Sequence, residues 1–79
     1  MKNILENLKF DHIGIATESI EKSVESFMIF GYKMVSKIII DLNQDVKVCF
    51  MEKDKSPKIE LIEPNSKNSP INNMLKKNR

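Results

Sequence analysis

Two stretches decide how this 79-residue chain folds: KFDHIGIAT, residues 9–17, and PKIELIEP, residues 57–64. Phe10 to Thr17 is short, apolar and partly β-branched, so it reads as a strand, and Glu18-Ser19 supplies a helix start with Ser19 as N-cap. Side chains alternate across a strand. Ile13 and Ile15 therefore share one surface, while Phe10, His12, Gly14 and Ala16 share the other. In the second stretch Ile59 and Leu61 fall on one side, with Lys58, Glu60 and Ile62 opposite. Placing the aliphatic pairs beneath a helix turns Glu60 and His12, the only histidine, toward the opposite, uncovered face.

The intervening elements follow from periodicity and punctuation. Ile20, Val24, Phe27 and Met28 form one apolar stripe at helical spacing, and Gly31 stands where a left-handed C-cap is wanted. Tyr32 to Leu42 is rich in Val and Ile without a breaker and predicts a second strand; Asn43-Gln44-Asp45 is turn chemistry. VKVCFME, from Val46, is a third strand, Lys53 to Pro57 a polar turn, and KIELIE a fourth strand ended by Pro64. Ser69-Pro70 opens a last short helix, with Ser69 as N-cap and Pro70 at the first helical position. The expected class is α+β, one β-α-β-β-β module with a C-terminal helix.

Composition narrows the functions. A domain of this size buries only about 60% of the surface its unfolded chain exposes, so a metal or a partner chain is expected to add stability. A disulfide cannot, because Cys49 is the only cysteine, and one free thiol fits a reducing, cytoplasmic setting. The net charge of +2 is spread along the chain, with one basic cluster at Lys76, Lys77 and Arg79 and no aromatic platforms between basic residues. Nucleic-acid binding is not expected. Apolar runs such as Ile38-Ile39-Ile40 are too short to span a bilayer.

An imidazole and a carboxylate on one sheet face are two ligands for a divalent metal, of the three or four that a metal site requires. Ordinary strand patterning accounts for His12 and Glu60 equally well on spacing alone. Glu52 and Glu63 are acid/base candidates that also fit solvated strand ends. Cys49 reads as a small buried hydrophobe, and Met28, Met34, Met51 and Met74 as adaptable core or pocket wall.

FDHIGIAT, the helix ending in FGYKMV, then QDVKVCFME, KIELIEP and NSPINNMLKK together resemble the N-terminal half of methylmalonyl-CoA epimerases. These belong to the vicinal oxygen chelate superfamily, with glyoxalase I and bleomycin-resistance proteins. The resemblance runs from about Phe10 to the chain end. It implies one glyoxalase-like half-domain over residues 1–79, paired with a second module in a longer chain or with a second copy in a homodimer. It further implies His12 and Glu60 as metal ligands, for Co, Zn, Ni, Mn or Fe, and Gln44, in NQDVKV, as a contact for an acyl-CoA substrate, although a plain turn residue fits Gln44 as well. Lys47 and the cluster at Lys76, Lys77 and Arg79 could meet coenzyme A phosphates, or be solvated surface.

The implied reaction is proton transfer at the carbon α to a thioester. Which residues are the acid and base is left open, since some relatives carry an acidic residue on the third strand where Val46 and Val48 stand here. A lone half is expected to be inactive unless paired. The alternatives are a glyoxalase I type lactoylglutathione lyase with the same metal site, and a non-catalytic ligand-binding or dimerising module.

Overall fold

The computed structural model describes residues 12–77. Its elements are β1 (His12–Ala16), α1 (Ile20–Ile29), β2 (Lys33–Met34), β3 (Ile39–Asp41), β4 (Val46–Glu52), β5 (Lys58–Pro64) and α2 (Ile71–Lys77). They form one open sheet in the order β1-β5-β4-β2, with β3 also paired to β4. β1 runs parallel to β5 and the other pairs are antiparallel. This is the expected β-α-β-β-β module with its C-terminal helix. Phe10, read as part of the first strand, and Arg79, read as part of the basic cluster, lie outside the described residues.

α1 lies on one face of the sheet. Ile20 is completely buried against Cys49, Met51, Ile59 and Leu61, and Ile15, Val24, Phe27 and Tyr32 pack around this group. The alternation in β1 and β5 thus places Ile15, Ile59 and Leu61 under the helix, as expected, whereas Ile13, expected beside Ile15, is 43% exposed on the edge strand β1. Met28 departs from the predicted stripe: it is 56% exposed, because α1 is only three turns long and turns Met28 away at its C-terminal end. Met34 and Met74 are also exposed, so of the four methionines only Met51 belongs to the core.

Both ends of α1 are closed by local chemistry. Ser19 is extended (φ −151°) and its hydroxyl accepts from the Lys22 N–H at 3.2 Å. The Ile20 N–H, which Ser19 does not reach, donates to the Glu63 carboxylate at 2.8 Å, joining the helix start to the end of β5. At the other end Gly31 takes φ +95°, while the Gly31 and Tyr32 N–H groups donate to the carbonyls of Met28 and Phe27 at 3.0 and 3.1 Å. Those two bonds are the pair that terminates a helix through a left-handed residue.

The second strand is not continuous. β2 and β3 both pair with β4, but Met34 opposes Met51 while Ile39 opposes Val48, so the edge gains two residues between them. The bulge is held by Ser36, whose hydroxyl accepts the Phe50 N–H at 2.9 Å in place of a backbone carbonyl. Val and Ile content reported strand propensity here but carried no signal for the interruption. As an edge, this segment leaves Ile39 and Ile40 exposed.

Turns set the registers. Asp41 accepts from the Asn43 and Gln44 N–H groups at 3.0 and 3.2 Å, and Asp45, at φ +57°, ties the β3–β4 turn to Asn65 and Ser66 beyond β5. The β4–β5 hairpin closes with the Ser56 N–H on the Lys53 carbonyl at 3.1 Å and Lys55 at φ +60°. α2 begins one residue after Pro70, with the buried Ser69 hydroxyl accepting from Ile71 at 3.4 Å.

Glu63 has two roles that can be separated. Its bond to a helix N–H removes an orphan donor, whereas its 3.8 Å pair with Lys47 is long and partly solvated. Glu63→Ala is expected to lower stability by about 1–2 kcal/mol in urea unfolding. Glu63→Gln, which keeps an acceptor, should retain most of it, and Lys47→Ala should cost less than about 0.5 kcal/mol.

Candidate metal centre

The face opposite α1 carries the alternate residues of the same strands. In β1 and β5 His12 is in register with Lys58, and Gly14 with Glu60. Gly14 adds no side chain between them, and His12 leans diagonally to Glu60, with Nε2 3.4 Å from Oε1. The imidazole is 51% exposed and the carboxylate 23%, both on the face opposite α1. Residues far apart in sequence are thus brought side by side on the face the alternation predicted.

The neighbouring strand completes the surroundings. Phe50 of β4 is in register with Glu60, and its ring meets the imidazole edge-on at 6.4 Å between centroids. Lys58 reaches over the other part of this surface, its Nζ 5.8 Å from the Phe50 ring centroid and 3.3 Å from Glu52. Phe50 and Lys58 were not singled out from the sequence. The signal was present in the symmetry of the β4–β5 hairpin about its turn, which sets Phe50 opposite Glu60.

Two donors bound to a common ion at about 2.1 Å lie about 3.0 Å apart for a right angle at the ion and about 3.4 Å for a tetrahedral one. The His12–Glu60 separation falls at the upper end of that range, and imidazole with carboxylate is a donor set for divalent transition metals. The pair fits as part of a coordination shell. It does not complete one: no group of three His, Cys, Asp or Glu side chains converges among the described residues.

The remaining candidates lie elsewhere. Gln44 is exposed in the β3–β4 turn, beyond Val46, and so roughly 13 Å or more along β4 from the level of Phe50. Glu52 is paired with Lys58, and Glu63 belongs to the helix face, where it caps α1. Val46 is buried and Val48 half-buried, so β4 presents no carboxylate between Phe50 and the turn. Cys49 is buried under α1, away from the pair.

The fold is thus a single β-α-β-β-β module with an open sheet, carrying a histidine on its first strand and a carboxylate on its last. Residues 11–78 match the model of the Glyoxalase/Bleomycin resistance protein/Dioxygenase superfamily, and the chain belongs to that family. A hypothetical protein from Bacillus halodurans is 38% identical, with a TM-score of 0.75 over 85% of this chain and 48% of its own. The methylmalonyl-CoA epimerase of Mycobacterium tuberculosis is 26% identical, with a TM-score of 0.76 over 85% of this chain and 45% of its own. A variant of the Streptomyces coelicolor methylmalonyl-CoA epimerase in complex with 2-nitronate-propionyl-CoA shares the fold at 24% identity, with a TM-score of 0.73 over 86% of this chain and 52% of its own. The chain thus spans about half the length of these structures. No curated protein matches it.

Half-exposed pairs of this kind contribute little to folding. His12→Ala and Glu60→Ala are each expected to change metal-free stability by less than about 0.5 kcal/mol in urea unfolding. A larger loss from either would mark the pair as a structural brace.

Proposed function

We propose that this chain supplies one half of a divalent-metal site for proton transfer at the carbon α to a thioester, the chemistry of a methylmalonyl-CoA epimerase. The observation that carries this reading is the 3.4 Å juxtaposition of His12 Nε2 and Glu60 Oε1 on the open face of a module of this family. His12 and Glu60 would hold the ion through one nitrogen and one oxygen. A divalent ion bound there would supply polarisation of a thioester oxygen, and so would stabilise negative charge developing on that oxygen as the α-proton leaves.

The rest of the half-site prepares that surface. Phe50 packs its ring against the imidazole, limiting rotation of His12 and keeping water from one side of the pair. Glu52 is engaged by Lys58 and Glu63 by the helix, so neither is placed to shuttle the α-proton. Among the described residues neither candidate is free for that role, so we assign the acid and base, along with the other metal donors, to a second module. A second copy of this chain in its place would complete the metal shell with one histidine and one glutamate from each copy, but would bring the same engaged carboxylates.

Metal uptake and isotope exchange test the reading. A hundredfold excess of Co2+ over its Kd should stabilise the protein by about 2.7 kcal/mol, seen as a rise in Tm. His12→Ala and Glu60→Ala should each abolish the rise. Joined to its second half, the metal-loaded protein should exchange the α-proton of a 2-methyl-branched acyl-CoA for deuterium, followed by NMR. Turnover of a hemithioacetal in its place would assign a glyoxalase-type lyase, and a dimer that takes up no metal would assign a non-catalytic module.

A further inference from the structure

A cleft of about 540 Å3 opens at the β4–β5 hairpin. Four lysines line it from three places in the fold: Lys33 on β2, Lys53 and Lys55 on the hairpin turn, and Lys58 on β5. Glu52 and Asp54 are its only carboxylates. Four ammonium groups against two carboxylates leave an excess of two positive charges, as large as the net charge of the entire chain.

The charges are not mutually satisfied. Lys58 and Glu52 neutralise each other at 3.3 Å, and Lys53 rests its Nζ 5.9 Å from the Tyr32 ring centroid. Lys33 and Lys55 form no ion pair among the described residues and are exposed. Like charges gathered in one concavity repel, and a bound anion relieves that repulsion. Multiply charged phosphates suit flexible ammonium groups converging from several elements.

Position relates the cleft to the metal pair. Lys58 borders both, being in register with His12 on one side and lining the cleft on the other. From Glu60 to Lys55 the chain spans at most about 17 Å. Coenzyme A carries its thioester at one end of an uncharged pantetheine arm and its phosphates at the other, so an arm of comparable reach joins the two features.

We propose that the cleft lined by Lys33, Lys53, Lys55 and Lys58 binds the phosphates of a coenzyme A tail whose thioester lies at His12 and Glu60. This rests on the acyl-CoA reading of the site and adds to it the residues that hold the tail.

Isothermal titration of the protein with coenzyme A, pantetheine and inorganic pyrophosphate tests the assignment, using Lys33→Ala and Lys55→Gly. Glycine at φ +60° relieves a conformation that costs a lysine, so Lys55→Gly should melt no lower than the parent protein. The double variant should bind coenzyme A roughly three- to tenfold more weakly, with a shallower salt dependence, and bind pantetheine unchanged. Pyrophosphate should bind more weakly than coenzyme A and lose affinity in the same variant. Undiminished coenzyme A affinity in the double variant, or none in the parent, overturns the proposal. Pyrophosphate bound as tightly as coenzyme A overturns it in favour of a site for free polyphosphate. Co2+ uptake measured in the same proteins separates the two readings: its absence from the parent removes the metal site, whereas intact uptake with unaltered coenzyme A affinity removes only the cleft.

Discussion

The parallel pairing of β1 with β5 is the constraint on which the rest of this molecule depends. It joins two segments distant in sequence, and its register alone places His12 diagonal to Glu60. A slip of one residue would carry every side chain of one strand to the other face, exposing Ile15 or Leu61 and burying a charged partner. Burial of Ile15, Ile59 and Leu61 against α1 therefore protects the arrangement on the opposite side. The capping bond from Ile20 to Glu63 works toward the same end, anchoring the helix to the last turn of β5 rather than leaving it free to slide over the sheet.

A single helix over an open sheet divides the molecule chemically. The covered face is aliphatic and dry, with Ile20, Cys49, Met51 and Leu61 fully buried. The open face carries an imidazole, carboxylates, an ammonium group and an aromatic ring within reach of one another. Such a surface contributes little to a hydrophobic core, which suits it to a ligand or a second module. The size of the domain gives the same picture: α1 covers the face opposite His12 and Glu60, so a partner seated over that pair would add burial that the isolated module lacks.

Legibility along the chain followed the strength of local signals. β1, β5 and their faces could be read because side chains alternate and Ile15, Ile59 and Leu61 share a parity that His12 and Glu60 do not, with Ile62 the exception among the large aliphatic residues. Both ends of α1 were readable from Ser19 and Gly31, whose roles are dictated by backbone chemistry within a turn. The interruption of the second strand was not, since Val and Ile favour strands equally on both sides of the bulge and Ser36 reveals its role only when Phe50 is brought opposite. Met28 fitted the helical stripe by spacing, yet it lies in the last turn of α1 and is exposed. Glu63 looked like a solvated strand end because the helix N–H it accepts from lies 43 positions earlier.

By itself the sequence determined the element order, the helix caps, and which residues of each strand share a face, because these depend on interactions within a few residues and on the fixed period of a strand. Only the tertiary structure decided that His12 and Glu60 lie 3.4 Å apart, that Phe50 and Lys58 flank them, and that lysines from β2 and the β4–β5 hairpin meet in one cleft. Those are consequences of strand order and register, which are set by the packing of the whole sheet against one helix and leave no trace in any single segment.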